Sequence, residues 1–188
     1  MNARVAYFSA AIVLTLPAAI AAFQSTRVNP DAAVIADFTK RVKAYADLRD
    51  KVDDGAATLK ERKDPAKIVS AQDILATRIQ TARADAKPGD IFTPEIRKKF
   101  LALLRPELKG KEGAETRATI KDEEVGPVPL KVNAKYPEKE PLSTVPPKVL
   151  ASLPKLPDGL EYRFVHNDLI LLDARANLIV DFIRNAIA

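Results

Sequence analysis

The stretch Leu160-Glu-Tyr-Arg-Phe-Val-His-Asn-Asp-Leu-Ile-Leu-Leu-Asp-Ala-Arg-Ala-Asn-Leu-Ile-Val-Asp-Phe-Ile183 decides how the rest of the chain is read. It holds two or three short apolar runs joined by polar turns, and no other part of the sequence is so plainly β in pattern. Tyr162 and Phe164 fall on one face of the first run. Leu169 to Leu172 is apolar without alternation, which predicts a central strand covered on both faces. Leu178, Val180 and Phe182 share one face of the third run. His166-Asn167-Asp168 and the residues from Asp173 to Asn177 read as turns, because Asn and Asp tolerate the left-handed backbone that tight hairpins need. The expectation is an α+β fold that ends in a small antiparallel β-sheet, a meander.

The segment leading into this sheet has a different texture. Eight of the fourteen prolines lie between Pro127 and Pro157, which excludes long helices there. Leu130 to Tyr136 alternates apolar and polar residues, the period of a strand. Residues 142–153 read as a helical turn opened by Pro146-Pro147.

Before residue 126 the period is helical. Asn29-Pro30-Asp31 is a helix start: an N-cap, a proline at the first position, and an acid at the positive end of the dipole. Val34, Phe38, Val42, Tyr45, Leu48 and Val52 follow at steps of three and four, opposite a face carrying Lys40, Arg41, Lys43, Arg49 and Lys51. This helix is expected to reach about Leu59, with Gly55 a weak point. Asp64-Pro65 repeats the start signal, and Ile68, Ala71, Leu75, Ile79 and Ala82 form the apolar side of a second helix. It stops before Lys87-Pro88-Gly89-Asp90 and pairs with the first as an antiparallel hairpin. Thr93-Pro94-Glu95 opens a third helix with Ile96, Phe100, Leu103 and Leu104 inward, closed or kinked by Pro106. A fourth, weaker helix is expected from Ala114 to Asp122. The organisation is therefore a leader at 1–22, a helical region at 23–125, and a Pro-rich approach with the sheet at 126–188, forming one domain with the helices.

Composition narrows the chemistry. Among 188 residues there is no Cys, which removes disulfides, thiolate metal sites, Cys nucleophiles and a lipoprotein anchor. There is one His, so an imidazole triad or a His cluster would rest on His166 alone. The net charge is +5, but basic and acidic residues are interleaved with no basic block, which argues against a nucleic-acid partner. The absence of Trp and the scarcity of aromatics leave no base-stacking platform.

Met1 to Arg4 is a positive start, Val5 to Ile20 an uncharged apolar run, and Ala19-Ile20-Ala21 a small-x-small site. That is the pattern of a secretory signal peptide with cleavage after Ala21. The other reading is an uncleaved anchor. The run is short for a full span and contains Pro17, which favours cleavage. Both readings place the remainder outside the cytoplasm, in the periplasm or the medium.

Few motifs carry chemistry. His166-Asn167-Asp168 is where His and a carboxylate are close in sequence, and Arg163 lies nearby. These three, Arg163, His166 and Asp168, are the candidate ligand contacts, set against the plainer reading of a solvated turn. One His and one acid are too few for a metal. Asp53-Asp54 and Asp122-Glu123-Glu124 lack the spacing of a calcium loop. The run from Gly110 to Gly113 lacks the Lys-Ser/Thr ending of a phosphate loop, and no Ser sits in a nucleophile elbow. No cofactor, metal or catalytic residue is assigned from sequence.

Pro88-Gly-Asp-Ile-Phe-Thr-Pro94, the run from Pro127 to Pro137, Leu142-Ser-Thr-Val-Pro-Pro147 and the stretch from Leu160 to Ile183 together resemble a family of exported bacterial proteins without an assigned function. The resemblance implies bacterial export and implies no mechanism. The functional expectation is a non-catalytic periplasmic or envelope protein that acts through protein–protein contact, with a homodimer one form of it. The alternatives are a carboxylate-based hydrolase of cell-wall or polysaccharide material, which needs a cleft with two acids, and a carrier with an apolar pocket for a small ligand.

Overall fold

The computed structural model describes residues 29–53, 65–122, 126, 128–141, 143 and 145–187. Prolines set most helix starts. Four of the five helices described begin on one: α1 (Pro30–Val52), α2 (Pro65–Ala82), α3 (Pro94–Glu107) and α5 (Pro147–Ser152), while α4 (Gly110–Asp122) does not. The fixed φ of proline suits the first helical position, where its missing N–H is no loss. Asn29 Oδ1 accepts the Asp31 N–H at 3.0 Å and Thr93 Oγ1 accepts from Ile96 N, so both capped starts are as the sequence predicts. Three strands follow, β1 (Leu160–Val165), β2 (Asp168–Asp173) and β3 (Leu178–Ile183), antiparallel in the order β1-β2-β3. The α+β expectation with a C-terminal meander holds.

The leader at 1–22, its cleavage position and the Asp54 and Glu123-Glu124 halves of the acidic clusters lie outside the described residues. α1 stops at Val52, with Asp53 closing it by donating its N–H to Arg49 O at 2.9 Å, well short of residue 59. Asp53, Asp54 and Gly55 supply the reason: carboxylates oppose the negative end of the dipole, and glycine is a poor helix former. α4 begins at Gly110, earlier than Ala114, because Gly110 takes a φ of 68° that turns the chain out of α3. Pro106 is absorbed in the last turn of α3, which ends one residue later.

α1 packs on α2 and α3. Arg78 Nη1 donates to Val52 O, while the Arg83 guanidinium lies over the Tyr45 ring at 4.9 Å, so α2 runs back along the second half of α1. Phe38, Phe92 and Phe100 form an aromatic cluster, and Phe100 reaches Tyr162 of β1 at 5.9 Å between ring centroids. Tyr162, Phe164, Leu169, Leu171, Leu178 and Val180 thus bury one sheet face beneath the helices. The opposite face carries Val165, Ile170, Leu172 and Ile179, and it is covered by Tyr136 with the half-buried Val128 and Leu130. β2 is central and buried on both faces, as its unbroken apolar run predicts.

The segment 126–146 closes more than a face. Lys135 bridges Leu178 on the free edge of β3, with Asn133 N bonded to Ile179 O at 2.9 Å and Tyr136 N to Asn177 O at 3.0 Å. Ser143 bridges Phe164 on the free edge of β1. One strap therefore crosses the sheet and blunts both edges, which would otherwise offer unpaired N–H and C=O groups to other chains. The expected strand from Leu130 to Tyr136 is reduced to this single bridge, because Asn133 takes a φ of 62° and breaks the extended run.

β3 corrects a further expectation. A bulge sets Leu171 against Asp181 but Leu172 against Ile179. The extra residue shifts the alternation, so Val180 and Ile183 point to the helices while Phe182 joins the strap side. Phe182 does not share a face with Leu178 and Val180.

Candidate functional site

The three residues singled out from sequence are placed separately. Arg163 forms an ion pair with Glu161. Asp168 accepts from Arg184 Nη1 at 3.1 Å and from Asn185 N at 2.8 Å, which pins the turn following β3. His166 is exposed in the hairpin and takes a φ of 53°, so it is His166, and neither Asn167 nor Asp168, that adopts the left-handed backbone there. Among the described residues, no group of three or more His, Asp or Glu side chains is arranged to hold a metal ion.

Two carboxylates are fully buried: Asp181, unmarked in the sequence, and Asp173, expected in a turn but placed as the last residue of β2. Asp181 accepts from Gly89 N at 3.1 Å, Ile91 N at 2.9 Å, Phe92 N at 2.8 Å and Phe182 N at 2.8 Å. The β3 bulge turns it toward the loop that follows α2, and its two oxygens hold that loop open as a nest of amides. Asp173 ends β2. It accepts from the Tyr45 hydroxyl at 2.8 Å, from Arg175 N at 2.9 Å and from Ala176 N at 3.1 Å, and Arg49 Nη1 lies 3.7 Å away. Arg49 is buried, although helical spacing had set it on the polar face of α1. The reason is Asp173, which gives the guanidinium a charge to face inside the fold.

This second cluster is electrostatically tense. Burial pushes the Asp173 carboxyl above the usual carboxylate range, against the opposing pull of the Tyr45 hydroxyl and Arg49. Burial, with Asp173 beside it, likewise raises the Tyr45 phenol well above its ordinary value. Burial lowers the pKa of the Arg83 guanidinium that lies over the Tyr45 ring. Gly159 fits against the cluster: a Cβ there would stand 2.8 Å from Arg175 Cδ and 3.1 Å from Arg49 Nη1. Arg175 closes the surface side through Asp50 at 2.9 Å and through Asp53. Both buried acids therefore spend their acceptor capacity on the fold.

The open feature nearest a sequence candidate is a groove of about 500 Å³ between α5 and the outer edge of β1. Its apolar lining is Val145, Leu150, Leu153, Pro154, Leu156, Leu160 and Tyr162, and its polar positions are Lys155, Glu161 and Arg163. Tyr162 fixes the wall by donating its hydroxyl to Pro154 O at 3.0 Å. Leu150 stands 48 % exposed on α5 and lines this groove. The Arg163 Nε is buried without a hydrogen-bond partner among the described residues. Glu161 is the one carboxylate here and is paired with Arg163, so the groove lacks the two free acids that a carboxylate hydrolase needs. Of the three sequence candidates, Arg163 lines this groove; His166 and Asp168 do not. The leucine spacing at 150, 153, 156 and 160 was the available signal for the rest.

No family model matches the chain, no curated protein matches it, and no solved structure matches it. Among the described residues, no helix is long and apolar enough to cross a membrane.

Proposed function

We propose that this chain is an exported bacterial envelope protein, periplasmic or secreted, that works by binding a protein partner and carries out no catalysis. The observation that supports this reading is the groove between α5 and β1, apolar along its floor and open at Leu150. Buried acids support it too, because Asp173 and Asp181 are committed to internal hydrogen bonds. The partner chemistry that fits is an apolar segment with an acidic side chain placed for Lys155, which forms no ion pair among the described residues. The N-terminal apolar run and the small-x-small site at 19–21 support export.

Photo-crosslinking in cells tests the idea. A crosslinker at position 150 is expected to give one discrete adduct with an envelope protein, and a crosslinker at the exposed Lys40 of α1 none. Smears of equal intensity at both positions, or no adduct at either, would sink it. An adduct at twice the chain's mass identifies the partner as a second copy. A second reading, a carrier of a small apolar ligand, is favoured by the groove's volume of about 500 Å³, which lies within the range of small-molecule sites. It predicts a thermal shift with an added lipid or aliphatic ligand in the absence of any protein.

A further inference from the structure

The sequence shows no basic block, yet the fold makes one. On α3, Arg97, Leu101 and Arg105 recur every four residues, with Lys98 and Ala102 beside them. Lys109 and Arg117 continue the surface toward α4. Two shallow grooves of about 390 Å³ and 340 Å³ meet on this side and share Leu101 and Arg105. Neither is lined by a carboxylate. Among the described residues none of the five cations forms an ion pair. Arg97 donates to Arg184 O at 3.2 Å and Arg117 to Leu108 O, both backbone carbonyls that leave the charge in place. Five equals the net charge of the whole chain, +5, so the other 25 basic residues balance the 25 acidic ones.

We propose that this face docks on an anionic phospholipid surface. Guanidinium and ammonium groups spread along a helix suit an array of phosphates, and guanidinium forks suit phosphate oxygens in particular. The lining offers no aromatic side chain, so single-stranded nucleic acid finds nothing to stack on. Its apolar floor is shallow, with Leu101 half-buried between the charges, which suits headgroup contact rather than deep insertion. The proposal is independent of the groove between α5 and β1, which lies on other elements.

The test is co-sedimentation of the full chain with phosphatidylcholine vesicles that contain or lack phosphatidylglycerol. Vesicles lacking it report any charge-independent binding through the apolar N-terminal run. Binding is expected to require phosphatidylglycerol and to fall with added salt. The double variant Arg105→Glu/Lys109→Glu is expected to weaken it by about tenfold or more. A control, Lys40→Glu/Lys51→Glu, carries the same charge change on α1 and is expected to leave it nearly unchanged. Equal loss in both variants would reduce the effect to net charge and overturn the assignment. So would binding that ignores phosphatidylglycerol, or binding to polyglutamate without binding to vesicles, which would transfer this face to an acidic protein partner. Circular dichroism melts of both variants exclude unfolding as the cause.

Discussion

Asp181→Ala is the most informative single change in this fold. It leaves Ile91 N and Phe92 N, both buried, without the oxygen they now meet at 2.9 Å and 2.8 Å, and it frees Gly89 N as well. An orphaned buried donor costs about 1–3 kcal/mol, and the loop can rotate or admit water at the outermost of the three. Two full penalties and a partial one give a loss on the order of 4 kcal/mol, a large fraction of the roughly 5–15 kcal/mol that holds a domain together. For a chain of this size that corresponds to a fall in Tm of roughly 8–16 °C. Urea unfolding monitored by far-UV circular dichroism measures it, with the slope held constant to show that both states keep their compactness. Asp181→Asn is expected to fall between, since one oxygen remains and the amide NH2 faces donors. A loss below about 1 kcal/mol for the alanine variant would refute the claim that this carboxylate holds the 89–92 loop to β3.

The remaining predictions concern the other anchors and the groove. Asp173 has a folded pKa raised by burial, so the native state holds its proton more tightly than the unfolded chain does, and ionisation costs stability. The stability of the wild type relative to Asp173→Asn should therefore rise as pH falls through the raised native value toward the ordinary unfolded value of about 3.9, then level off. A relative stability that instead grows toward neutral pH contradicts the assignment. Gly113→Ala places a Cβ 2.6 Å from the Leu108 carbonyl oxygen, an overpacking against backbone expected to cost about 1–3 kcal/mol and to loosen α4 from α3 in hydrogen exchange. Lys155→Glu, at an exposed position that lines the same groove, is expected to abolish the adduct formed from position 150 while moving stability by no more than about 0.5 kcal/mol in urea.

What could be read from the sequence was whatever its local period encodes. The unbroken run from Leu169 to Leu172 announced a central strand, and Asn29-Pro30 and Thr93-Pro94 announced capped helices, because these signals act over a few residues. The bulge in β3 was invisible for the opposite reason. It follows from the match of Asp181 to amides some ninety positions upstream, and strict alternation gave Phe182 the wrong face. Arg49 was misplaced in the same way: its burial depends on Asp173, a residue from another element. The basic face of α3 was half legible. Arg97, Arg105 and Lys109 recur at multiples of four, but Arg117 joins them only through the packing of α4 on α3.

The strap that spans the sheet also sets an order in time. Residues 133–136 are synthesised well before β3, yet the amides of Asn133 and Tyr136 bond to the carbonyls of Ile179 and Asn177. The 89–92 loop waits for Asp181 from the same strand. Helices can form as they emerge, but these earlier segments find their permanent partners only once Leu178 to Ile183 has arrived. Until then the β2 edge of a growing β1–β2 hairpin stands open, while Ser143 can already cover the β1 edge at Phe164. Closure of this fold is a late event governed by long-range contacts, and a ribosome stalled before residue 178 would release a product rich in helix and unprotected in sheet.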